Sequence, residues 1–216
     1  MSIQFGTDGW RAVIAEEFTF ANVARVAQAT ADYWKANPVA GTEQKVIVGY
    51  DRRFLSNEFA RISAEIFAGN GFSVVLTPEP TPTPSVSFAA KQQKAIGGVM
   101  ITASHNPPIF NGFKLKSDYG GSSAPETCKG VEACLDRTPV QRVKLADGLS
   151  SKQIVVKDVR PAHFAALKRL VDFKLIAKSK LRFAHEALFG VGAGCFEQLL
   201  AGTTCKVTTL NGNHDP

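Results

Sequence analysis

The chain has 216 residues, 44% of them hydrophobic and 20% charged, which is the balance of an ordinary globular protein and excludes a disordered one. Its net charge of +6 favours anionic partners, yet the lysines and arginines are scattered, with no basic run and no nucleic-acid motif. No apolar run is long enough to span a bilayer, and MSIQFGTDGWR lacks the basic-then-apolar order of a signal peptide. A cytoplasmic protein that meets no membrane and no nucleic acid is expected, with a phosphorylated small molecule suiting the charge better than DNA. The four cysteines (Cys128, Cys134, Cys195 and Cys205) form no C-x-x-C pair and read as buried, reduced thiols.

From Phe20 to Ala36, apolar positions recur every three and four residues, predicting an amphipathic helix that stops before Pro38. KVIVGY (45–50) is a continuous apolar run, as in a strand covered on both faces. Ser56 can cap a following helix that Gly69 and Gly71 end. FSVVLT (72–77) predicts a strand, PEPTPTP a break, 85–94 a helix and AIGGVMIT (95–102) a third strand. A helix near 126–137 precedes a poorly periodic connector over 138–153, and another helix runs over 161–173. LRFAHEAL (181–188), CFEQLL and CKVTTL (205–210) then compose one strand–helix–strand unit.

This alternation predicts an α/β fold: a mixed, mostly parallel sheet sandwiched by helices over residues 1–145, then a connector and an incomplete second α/β domain over 146–216. In such sheets ligands bind beyond the carboxyl ends of the strands. Three loops are expected there: 51-DRRFLS, 78-PEPTPTP and 103-ASHNPP. A lone βαβ unit leaves sheet edge and apolar surface open, so an oligomer or a missing C-terminal half is expected.

The third loop carries the chemistry. ITASHNPPIFNGFKLK (101–116) places a hydroxyl at the mouth of the site, stiffens the chain with Pro107 and Pro108, and turns at Asn111-Gly112. FKLK then alternates, so Lys114 and Lys116 share a strand face. A serine that accepts or donates a phosphoryl group needs cationic neighbours and a proton carrier, and His105, Lys114 and Lys116 are the candidates. A Ser–His–Asp hydrolase fits poorly: neighbours in sequence rarely face each other, and no G-x-S-x-G elbow is present. Ser104 capping a turn beside a surface His105 is the plain alternative.

TASHNPP followed by NGFK resembles the active-site loop of the α-D-phosphohexomutase superfamily, the phosphoglucomutases and phosphomannomutases. FGTDGWR (5–11) and GYDRRFLS (49–56) resemble two further segments of that family, in matching order. The resemblance implies that Ser104 carries a phosphoryl group and passes it to a hexose 1- or 6-phosphate, through a bisphosphorylated sugar, with glucose 1,6-bisphosphate as activator. It implies Mg²⁺ held in part by phosphorylated Ser104, Lys114 as general base or acid, His105 in orientation or proton transfer, and Arg11 beside the phosphoserine. Thr7, Asn106 and Lys116 are expected at the substrate. Asp51 and Arg53 read better as an ion pair that positions loops.

The family's aspartate-rich D-G-D-x-D-R metal loop does not occur in the sequence, nor do the segments that read the sugar and grip the far phosphate. The chain is therefore expected to be a fragment or half of a split enzyme, inactive alone. A non-catalytic sugar-phosphate or partner-binding domain is the alternative. Gly190, Gly192 and Gly194 lack nucleotide-loop spacing and suit a tight turn with close helix–strand packing.

Overall fold

The computed structural model describes residues 3–6 and 9–214. Thr7, expected near the substrate, lies outside the described residues, as does Asp8.

The helix predicted from Phe20 is α1 (Phe20–Ala36), which buries Val23, Val26, Ala27, Thr30, Ala31 and Trp34 along one stripe. Thr19 caps it by accepting the Asn22 amide at 3.2 Å. The first strand, β1 (Gly9–Val13), precedes it. After α1 come β2 (Glu43–Tyr50), α2 (Ser56–Gly69), β3 (Ser73–Leu76), α3 (Thr83–Gln92), β4 (Ala95–Ile101) and β5 (Phe110–Ser117). Ser56 does not cap α2. The cap is Leu55, in the left-handed region at φ 58, and the Ser56 hydroxyl donates instead to Asp51 Oδ1 at 2.8 Å. At the other end Gly71, at φ 88, takes the left-handed turn that stops α2.

α4 (Pro125–Ala133) follows, and then two elements inside and just beyond the expected connector: α5 (Leu145–Ser150) and β6 (Ile154–Val156). The sheet order is β1-β5-β4-β2-β3-β6. β4, β2, β3 and β6 are parallel, whereas β5 runs antiparallel to both β4 and β1. The short β6 extends the first sheet, and Ile154 is fully buried against it. The sequence hides this strand because only three residues pair, and Val155 and Val156 remain exposed.

Two hydrophobic clusters cover the two faces. The larger packs Trp10, Phe18, Val23, Trp34, Phe67, Phe113 and Leu115 beneath α1, α2 and α4. The smaller packs Ile47, Val75, Val86, Ala90, Met100 and Val159 beneath α3 and the start of α6 (Arg160–Leu170). Side chains alternate across each strand, so Phe113 and Leu115 enter the large core while Lys114 and Lys116 take the opposite face.

α7 (Phe173–Lys178) leads to a two-stranded parallel sheet of β7 (Arg182–Glu186) and β8 (Lys206–Leu210), bridged by α8 (Cys195–Leu200). Phe196 on α8 packs edge-on against Phe183 and His185 of β7. Gly194 adopts φ 78, so the segment turns tightly as the sequence suggests, but a Cβ would fit at Gly192 and Gly194, and close packing is confined to Gly190, where it would stand 2.9 Å from the Ala187 carbonyl oxygen. All four cysteines are free thiols, but only Cys128 and Cys134 are buried; Cys195 and Cys205 are half-buried, because the small second sheet covers one side only. Among the described residues no helix is long and apolar enough to cross a membrane.

Candidate active site

A cleft of about 1120 Å³ lies over the carboxyl ends of the parallel strands. All three expected loops line it, through Asp51–Phe54, Pro82–Pro84, and Thr102, Ser104, Asn106 and Pro108. Two further walls lie outside the three expected loops: Val13–Glu16 at the end of β1, and Leu188–Gly192 after β7.

Ser104 leaves β4 at the rim, exposed and at φ 58, a left-handed conformation that costs a non-glycine residue about 1–2 kcal/mol. The fold imposes it through a compact polar network. The Thr102 hydroxyl accepts the Ser104 amide at 3.0 Å and donates its own proton to Asp51 Oδ2. Asp51 Oδ1 in turn accepts the Arg53 amide at 3.1 Å and the Ser56 hydroxyl at 2.8 Å. Arg53 then reaches over the loop. Its Nη2 donates to the carbonyls of Ser104 (2.9 Å) and Asn106 (2.8 Å), and its Nη1 to those of Pro107 (2.9 Å) and Phe110 (3.0 Å). Its Nε lies 3.2 Å from Asp51 Oδ2, at an angle too poor for a hydrogen bond, so that attraction is Coulombic. The Asp51–Arg53 pair is thus the loop-positioning pair the sequence suggests, and one guanidinium gathers the carbonyls of the whole serine loop.

Below the loop lies a row of cations. β1 pairs with β5 so that Arg11 faces Gly112 and Gly9 faces Lys114. Residues opposite each other in a ladder share a face. Arg11, Lys114 and Lys116 therefore project from the same side of the sheet, the side of α3. Gly112 permits this: a Cβ there would stand 2.6 Å from the Thr102 carbonyl oxygen and 3.0 Å from Arg11 Cγ. Arg11 Nη1 donates to Asn106 Oδ1 at 3.2 Å, joining the row to the serine loop. Lys114 and Lys116 are buried, at 8% and 6% exposure, and Lys116 donates to the Ser122 hydroxyl at 3.3 Å.

Of the expected site residues, Ser104 and Asn106 line the cleft and Arg11 touches Asn106. His105 is exposed on the loop, and Lys114 and Lys116 lie in the sheet beneath it; none of these three lines the cleft. Sequence reasoning missed Thr102, a hydroxyl directly after the apolar β4, and the full reach of Arg53.

The described residues do not compose a Mg²⁺ site. Among the described residues no three His, Cys, Asp or Glu side chains cluster, and both oxygens of Asp51 are committed to the loop network. A divalent cation takes oxygen ligands in numbers that the Ser104 oxygen alone does not supply.

Residues 2–142 match the phosphoglucomutase/phosphomannomutase α/β/α domain I. The chain belongs to the phosphoglucomutase/phosphomannomutase family. Among similar curated proteins, a probable phosphoribomutase of Schizosaccharomyces pombe is 35% identical over 88% of this chain and 34% of its own. A phosphoribomutase of Saccharomyces cerevisiae is 33% identical over 95% of this chain and 36% of its own. The crystal structure of a putative phosphomannomutase from Thermus thermophilus superposes on the entire chain with a TM-score of 0.88 and 37% identity, covering 47% of that protein. The chain thus spans about a third of the length of the curated relatives it matches.

Proposed function

We propose that this chain supplies the phosphoryl-carrying serine of a phosphohexomutase. The single observation that supports the reading is the Ser104 loop, strained, exposed and locked by Arg53 at the rim of a cleft, above a row of cations of which Lys114 and Lys116 are buried. In the proposed step the Ser104 oxygen attacks a phosphorus of a bisphosphorylated hexose. The Oγ–P bond forms, the sugar O–P bond breaks, the serine proton leaves to a base, and the departing sugar oxygen takes up a proton. Lys114 and His105 are the proposed proton carriers, and Arg11 steadies charge that spreads over the transferring oxygens. That bisphosphorylated hexose arises when phosphorylated Ser104 first gives its phosphoryl group to the free hydroxyl of a hexose 1- or 6-phosphate; the sugar then reorients, so that the group returned to Ser104 comes from the other end. Turnover on this scheme also requires Mg²⁺ and sugar-hydroxyl ligands that the described residues do not compose, so we assign this chain the transfer to serine rather than the complete cycle.

A pentose phosphate is the second reading for the substrate, favoured by the two phosphoribomutases among the relatives. An amide-shift titration with glucose 1-phosphate, ribose 5-phosphate and inorganic phosphate tests both. The hexose reading expects saturable shifts at Ser104, Asn106 and Val191 with the glucose compound and weaker ones with ribose; the reverse order favours the pentose. Shifts identical to those from inorganic phosphate would remove the sugar from the account.

A further inference from the structure

Consecutive arginines on the loop between β2 and α2 reach in different directions. Arg53 gathers the serine loop, whereas Arg52 reaches the second unit. Arg52 Nη1 donates toward the carbonyls of Gly212 (2.9 Å), Asn213 (3.1 Å) and Phe189 (3.3 Å). One Nη carries two hydrogens, so the three oxygens share them and the Phe189 contact is the weakest. The grip is returned from the other side: His214 Nε2 lies 3.2 Å from the Arg52 carbonyl oxygen.

The gripped carbonyls come from two segments, the loop after β7 and the turn after β8. These segments are already tied together, because the Phe189 amide donates to the Asn211 carbonyl at 2.7 Å and the Ala187 amide to the Leu210 carbonyl at 3.0 Å. Leu188 and Phe189 both hold positive φ, at 49 and 58, so the corner is bent sharply where Arg52 meets it. That corner opens the Leu188–Gly192 wall of the cleft that Ser104 also lines. Arg52 and Arg53 are anchored on one turn, fixed by the Asp51 carboxylate. A single turn therefore joins both walls.

We propose that Arg52 is a positioning residue that seats the Leu188–Gly192 wall of the cleft that Ser104 lines, acting through the backbone corner and not on the reacting atoms; the proposal rests on the sugar-phosphate reading of the cleft. Without the grip the second unit spends part of its time undocked, and apparent affinity falls by the docked fraction.

The test compares the full chain with Arg52→Ala and Arg52→Gln by ¹⁵N relaxation and by glucose 1-phosphate titration. Amide shifts of β2, β4 and β5 report that the first unit remains folded. The expected result is a common tumbling time for both units in the wild type and a shorter, separate one for residues 182–210 in both variants. Affinity should fall about tenfold, as for a docked fraction of about one tenth. Unchanged tumbling with weakened binding would make Arg52 a direct ligand contact and overturn the proposal, as would separate tumbling with unchanged affinity. If the wild type binds no sugar phosphate, the functional reading falls, and the tumbling comparison alone decides whether Arg52 seats the wall.

Discussion

Arg53 donates to the carbonyl of Ser104 at 2.9 Å from a residue fifty-one positions earlier in the chain. The same guanidinium holds three more carbonyls of the serine loop, so the strained backbone of Ser104 is fixed from outside its own segment. Arg53→Met keeps the stem and removes the donors and the charge. It should destabilise the fold by about 2–4 kcal/mol, because Asp51 and four carbonyls lose their common partner. Urea unfolding measures the loss, and hydrogen exchange should show faster exchange over residues 104–110. An unchanged midpoint would remove Arg53 from its proposed place.

Thr102→Val retains the β-branched shape of a buried residue just past β4 but deletes its hydroxyl. The Ser104 amide and Asp51 Oδ2 each lose a partner, at a cost of about 1–3 kcal/mol. The check is the urea midpoint together with exchange of the Ser104 amide, which should lose its protection.

Gly112→Ala places a methyl group 2.6 Å from the Thr102 carbonyl oxygen. That oxygen accepts no rotation away, since it belongs to the strand end from which the serine loop departs. Overpacking here should cost about 1–3 kcal/mol and displace Arg11 from Asn106. Thermal melting and the Asn106 side-chain amide shifts would report both effects.

His163 on α6 joins Ser85 at the start of α3, with its Nδ1 2.9 Å from the buried hydroxyl, and its ring packs near Phe88 and Phe164. Burial lowers its pKa below the ordinary imidazole value. The unfolded chain therefore takes up this proton at higher pH than the folded one. Stability from the neutral ring is fully present above about pH 6.5 and is lost as pH falls through the lower folded value. Melting temperatures from about pH 7 to about pH 5 should fall more in the wild type than in His163→Gln. Parallel curves would contradict this assignment.

The periodicity of α1, the apolar runs of β2 and β4, and the alternation in FKLK could be read directly, because each segment's burial follows its own pattern. Ser104, the shared face of Lys114 and Lys116, and the three cleft loops were legible for the same reason. β6 was not, since its pairing depends on β3 rather than on its own three residues. The capping role given to Ser56 failed because the Asp51 carboxylate captures its hydroxyl first. Arg11 joins the lysine row through the β1–β5 register, and Arg52 meets the corner at Phe189 from across the chain, relationships between segments far apart in sequence. Local patterns located the serine loop; what holds it in shape is long-range.

The most direct measurement is phosphosite mapping by mass spectrometry after the purified chain is incubated with glucose 1,6-bisphosphate and Mg²⁺. The account predicts one phosphoryl group on Ser104, none on Ser104→Ala, and much less on Arg53→Met. Phosphate absent from Ser104, or retained elsewhere in Ser104→Ala at the wild-type level, would contradict it.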